Sequence, residues 1–203
     1  LSEKEFVDRK AQLEILYSHQ NGKFKYEMLD RKALLDIQPG LGPDVVGGSW
    51  CPHDGHVNPL YLLRSLHNCF LKRNGQSLHD AEVFDITHGE GVFDVFSRKG
   101  QFQAPCLVLA AGLGNHKLAP LIGLKQPVRP QKGQILVTQK IDKLIDVPMT
   151  LLRQTAEGSI MIGDSKEEVG FDISSSIDIM AQIADRARRT LPVLEKQQII
   201  RSW

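Results

Sequence analysis

The sequence predicts an α+β chain: a mixed or antiparallel sheet with flanking helices. Three observations carry this. Apolar segments at 128–139, 148–155 and 158–165 are joined by polar turns, as neighbouring strands are. Residues 177–191 carry Ile179, Ile183, Ala184 and Ala187 at helical spacing, an inner face that predicts a helix packed on that sheet. Helices and strands follow one another without strict strand–helix–strand alternation, which points to α+β or to parts of two interleaved domains.

Taken in order, residues 1–38 are charged and periodic. Phe6, Ala11, Leu13, Ile15, Leu16 and Tyr17 mark a first helix, Ser2 with Glu5 fits a capping box, and Asn21-Gly22 breaks it. A short helix over 29–37 is stopped by Pro39-Gly40-Leu41-Gly42-Pro43, and 45–52 reads as a short strand. Asn58-Pro59 is a cap and first-turn pair, with Leu60, Leu63, Leu66 and Phe70 on one stripe behind it and Asn74-Gly75 as the stop. From residue 79 the period changes: 79–91, 91–104 and 105–112 read as three strands, the last a continuous apolar run suited to burial on both faces. A short helix over 116–124 precedes the sheet segments, and 197–203 begins one more strand after the closing helix.

Composition excludes several classes. Among 203 residues, 25 Lys+Arg against 24 Asp+Glu give a net charge of +1 with no basic stripe, so nucleic acid and anionic membranes are not expected partners. The longest apolar run, 106–114, is far too short to span a bilayer. Three cysteines, Cys51, Cys69 and Cys106, form neither an even framework nor a Cys-x-x-Cys pair, consistent with reduced thiols in a cytoplasmic protein. The stretch CPHDGHVNP places His53 and His56 three apart, a spacing that could share a metal. Pro52, Gly55 and Pro59 instead shape a turn feeding a helix, so no metal site is expected. The first residue is Leu, and the chain is expected to be a piece of a longer protein.

Four stretches, in order, resemble the flavin-dependent D-amino acid oxidase superfamily, which includes glycine oxidase, sarcosine oxidase and the opine or D-hydroxyproline dehydrogenase subunits. They are CPHDGHVNPLYLLRSL; LVLAAGLGNHKLAPLIGL with PVRPQKGQILVT; LLRQTAEGSIMIGDSKEEVGFD; and ARRTLPVLEKQQIIRSW. The third is most similar to the opine and D-hydroxyproline enzymes, which often work with partner subunits. The family's opening Gly-x-Gly-x-x-Gly turn is not found: Gly112-Leu113-Gly114 is followed by Lys117 where the third glycine belongs. The resemblance therefore implies the middle of such an enzyme. Residues 1–55 and 126–203 would form a substrate-binding domain, and 56–125 part of an FAD-binding domain, its β-meander and returning strand.

The resemblance also implies site residues. Val83 matches the position whose backbone reads the adenine ring, and Ala111 and Gly112 match the strand end passing close to the dinucleotide. Gln134 either faces the flavin or is hydrogen-bonded internally. Arg153 either pairs with a substrate carboxylate or forms a salt bridge to Asp164 or Glu168. No catalytic base is assigned, because hydride transfer from a neutral amine does not require one. The implied reaction oxidises the C–N bond of an amino acid or secondary amine, with FAD as cofactor, to an imine and then a 2-oxo acid. Partner subunits or a homo-oligomer are expected, and the 203 residues alone are not expected to bind FAD. The alternative is a non-catalytic module for subunit association.

Overall fold

A computed structural model describes residues 2–163 and 165–203. The architecture is mixed α+β with antiparallel sheets, as the sequence predicts. The chain divides into two compact units: Leu1–Asn58, Lys132–Glu167 and Ile173–Trp203 form the first, and Pro59–Gln131 with Glu168–Asp172 the second.

The first unit opens with α1 (Glu3–His19), closed at its start by the expected capping box. Ser2 Oγ accepts from the Glu5 N–H at 3.2 Å, and a Glu5 carboxylate oxygen accepts from the Ser2 N–H at 2.6 Å. A two-stranded ribbon pairs β1 (Glu27–Asp30) with β2 (Gly47–Trp50). Between them, α2 (Arg31–Ile37) is capped by Asp30, whose carboxylate accepts from the Ala33 N–H at 2.8 Å. The Pro-Gly turn that stops α2 is clamped by Arg31, which donates to the carbonyls of Gly42 and Val45 at 2.6 and 2.7 Å. Gly42 must be glycine: a Cβ there would lie 2.0 Å from the Arg189 carbonyl oxygen.

The main sheet follows. It comprises β6 (Leu136–Lys140), β7 (Leu152–Gln154), β8 (Ser159–Ile162) and β9 (Ile199–Ser202), in the order β7-β8-β6-β9. Every pairing is antiparallel. Helix α5 (Ile177–Thr190) buries Ile183 and Ala187 against this sheet, in one cluster with Leu136, Leu152, Ile160, Ile162 and Leu191. Ser176 caps α5 through the Ile179 N–H. The burial period is two, as alternation requires: Leu136, Thr138, Leu152, Ile160 and Ile162 are buried, while Val137, Arg153 and Met161 are only partly so.

The second unit holds α3 (Pro59–Lys72) and a three-stranded meander of β3 (Val83–Gly89), β4 (Val92–Ser97) and β5 (Gly100–Ala104). Glu90 and Gly91, with φ of +52° and +79°, make the two-residue mirror-image turn that suits the twist of the flanking strands. Here the expected single strand over 91–104 is corrected: it is a hairpin, β4 and β5. Ser97 bends it, its Oγ accepting from the Lys99 N–H at 3.1 Å and donating to the Gly100 carbonyl at 3.0 Å. The expected strand over 105–112 is corrected too. Those residues pair with no strand among the described residues, and Val108 is 84% exposed. An apolar run becomes a strand only through ladder partners for its N–H and C=O groups, which composition alone does not supply. The segment 112–122 winds as a 3₁₀ turn, α4 (Asn115–Leu118) and a second 3₁₀ turn. The stripe on α3 exists, yet Leu60, Leu63 and Leu66 are exposed within this unit.

One core residue makes a direct test. Thr138 is fully buried; its Oγ1 accepts from the Ile160 N–H at 2.9 Å and donates to the Gln139 carbonyl at 2.8 Å. Thr138→Val keeps the shape but strands a buried N–H, so urea unfolding should show a loss of about 1–3 kcal/mol.

Candidate functional site

In β6, β7 and β8 the buried residues are even-numbered and belong to the core beneath α5, so the odd-numbered ones define the other face. Register places Arg153 opposite Met161, Met161 opposite Val137, and Val137 opposite Arg201: one row across four strands. Directly opposed residues of antiparallel strands share a face. Arg153 is therefore carried over an apolar floor of Met161 and Val137. Its Nη1 lies 3.3 Å from His56 Nδ1, and its Nη2 lies 2.8 Å from Met161 Sδ. Among the described residues no carboxylate pairs with Arg153. Glu168 pairs instead with Arg129 at 3.3 Å, and Asp164 lies outside the described residues.

Gln134 sits on the opposite, inner side and is 1% exposed. Its Nε2 donates to Glu167 Oε1 at 2.8 Å, and its Oε1 accepts from the Ser176 N–H at 2.9 Å. Its own N–H donates to Ser165 Oγ at 2.7 Å. One amide thus ties the start of β6 to residues 165–167 and to the head of α5. Lys132 closes the network, 3.5 Å from Glu167 Oε2, with both side chains 13% exposed. The Gln134 amide, seconded by the Lys132 charge, holds the Glu167 carboxyl below its ordinary range. Both ends of the Gln134 side chain are engaged within the unit.

In the second unit, Asn115 is the organising residue. It is buried; its Oδ1 accepts from the Ala111 N–H and its Nδ2 donates to the Leu109 carbonyl, each at 3.2 Å. This fixes the turn Ala111–Gly114, whose small residues are exposed. Gly112 has φ of +55°, and a Cβ there would meet nothing within 4 Å. Val83, half-buried, begins β3 in the same unit. No group of three or more His, Cys, Asp or Glu among the described residues is arranged to hold a metal. No helix among them is long and apolar enough to cross a membrane.

Residues 2–203 match the family described as DAO, FAD dependent oxidoreductase. The chain belongs to that family. An opine oxidase subunit of Agrobacterium tumefaciens (strain Ach5) is 40% identical over 212 residues, covering all of this chain and 55% of that protein; its counterpart from Rhizobium meliloti gives the same figures. Among solved structures, L-proline dehydrogenase from P. horikoshii superposes with a TM-score of 0.86 at 21% identity, covering all of this chain and 57% of that one. Glycine oxidase from Geobacillus kaustophilus gives 0.84 at 21% identity, with 100% and 55% coverage. The two likenesses establish the shared fold. The chain spans about half the length of the relatives it matches.

Family membership implies an FAD cofactor. The exposed turn of small residues, with open space above Gly112, leaves room for a group to approach the backbone closely. Sequence reasoning did not identify Asn115, Met161 or the Glu167–Lys132 pair, and it weighed His56 only as a metal ligand. Met161 was within reach: the turn Ala156-Glu157-Gly158 fixes the hairpin register that sets it opposite Arg153.

Two outcomes follow for the Gln134 network. Gln134→Leu strands the Ser176 N–H and takes the amide donor from the Glu167 carboxylate, and should lower unfolding stability by about 1–3 kcal/mol. The depressed folded-state pKa of Glu167 means its contribution is present above the unfolded carboxyl range and is lost as pH falls through the folded value. Unfolding stability measured from about pH 6 down to 3 should therefore fall less steeply in Glu167→Gln than in the wild type.

Proposed function

We propose that the protein containing this chain is an FAD-dependent oxidoreductase. It acts on the C–N bond of a carboxylate-bearing amine: a D-amino acid, glycine or sarcosine, an opine or a D-hydroxyproline type of substrate. The observation that carries this is Arg153, a guanidinium on the open face of the main sheet with no carboxylate partner among the described residues. A planar fork of donors over an apolar floor suits a bidentate pair with a substrate carboxylate, while Met161 and Val137 accommodate the carbon skeleton. Bound FAD supplies the acceptor for the hydride leaving the carbon beside nitrogen, and the resulting imine is hydrolysed to a 2-oxo acid. On this reading the first unit binds substrate. The second contributes Val83, Ala111 and Gly112 to the dinucleotide edge, with Asn115 holding the turn. Gln134 acts by keeping β6 and α5 in place. The relation to proteins named as opine oxidase subunits supports a partner subunit.

The test is anaerobic mixing of the flavin-loaded, full-length protein with carboxylated amines and their decarboxylated counterparts, following flavin absorbance. Bleaching by the carboxylated compounds alone is expected. No bleaching by any amine would favour an association module. Arg153→Lys should raise the KM for the carboxylated amine roughly 10- to 100-fold, equivalent to about 1.5–3 kcal/mol, with kcat little changed.

Titrating FAD into the 203-residue chain alone should give no saturable micromolar binding. The described residues offer an edge contact, whereas dinucleotide affinity in such folds rests on backbone N–H groups at a glycine-rich helix N-terminus.

A further inference from the structure

We infer that His56 is a positioning residue for Arg153, holding the guanidinium in place without neutralising it; this rests on the reading that Arg153 receives the substrate carboxylate. An arginine guanidinium has donors only, so the contact at 3.3 Å requires a lone pair on His56 Nδ1, with the ring proton on Nε2. The second anchor, Met161 Sδ at 2.8 Å from Nη2, is likewise neutral and an acceptor. A long, flexible side chain is thus fixed at two points, one on each terminal nitrogen, by groups that carry no charge. A carboxylate anchor would fix the arginine equally well and cancel the charge that a substrate anion needs. The remaining N–H groups of the fork stay available for the ligand.

The chain builds this arrangement from two separate places. Arg153 lies on β7, where register sets it against Met161. His56 lies in the CPHDGH turn, which begins with the Asp54 N–H donating to the Cys51 carbonyl at 3.1 Å and ends at Asn58, before α3. A side chain on Gly55 within that turn would meet nothing within 4 Å. The histidine whose spacing suggested a metal ligand serves instead as a neutral acceptor for an arginine.

The experiment uses the full-length, flavin-loaded protein and steady-state kinetics with a carboxylated amine that bleaches the flavin. His56→Phe and His56→Ala remove the acceptor, and each should raise KM about threefold to tenfold with kcat and Tm close to wild type. His56→Asn, whose amide oxygen replaces Nδ1 as acceptor, should return KM close to the wild-type value. In an Arg153→Ala background, His56→Phe should add nothing further. An equal His56 effect with and without Arg153, or no KM change on removing His56 while Arg153→Ala raises KM, overturns the positioning role alone. If Arg153→Ala itself leaves KM unchanged, the carboxylate reading fails and this inference with it.

Discussion

The alternation of side chains along β6, β7 and β8 is the constraint on which the first unit depends. A strand presents successive side chains to opposite faces, so one choice of register commits every residue at once. Leu136, Thr138, Leu152, Ile160 and Ile162 go to the core beneath α5, and Val137, Arg153 and Met161 go to the other side. A slip of one residue would bury the Arg153 guanidinium and expose the core. Burial of a charge without a partner is costly enough to forbid that register. The open face and its cation are therefore consequences of the same hydrophobic pattern that stabilises the sheet.

Two polar devices hold this register in place. Thr138 fills a position where the ladder between β6 and β8 shifts, supplying from its hydroxyl an acceptor for the Ile160 N–H. Gln134 does the same at the head of β6, joining three chain segments through one amide. Each polar side-chain atom of both residues has a partner, and buried polar groups of that kind specify one arrangement where a purely apolar core would tolerate several. The second unit is organised differently. Its meander is closed by local turns, and Asn115 fastens the segment from Leu109 to Ala111.

Local chemistry made much of the fold legible. Ser2 and Glu5 name their helix start, Asn58-Pro59 marks the start of α3, and the inner stripe at Ile179, Ile183, Ala184 and Ala187 gives α5 its face. Long-range pairing was not legible. The order β7-β8-β6-β9 sets β9 beside a strand some 60 residues earlier in the chain, and no local period encodes that choice. The residues 105–112 read as a strand by composition, yet ladder partners decide whether an apolar run becomes one. β1 is four residues long, too short to show a period. At the site, Arg153 was readable as a charge on a strand. Met161 follows from the hairpin register, whereas His56 was not readable as a neighbour, because it reaches Arg153 from 97 residues away.

On the proposed function, Arg153 receives a substrate carboxylate on the open face of the main sheet. A crystal structure of the full-length, flavin-loaded protein with a non-reactive carboxylate analogue tests it most directly. The expected result is a carboxylate held by both terminal nitrogens of Arg153 at about 2.7–2.9 Å, above Met161, with His56 still in contact. An analogue bound elsewhere, with Arg153 paired to a carboxylate of the protein itself, would contradict it.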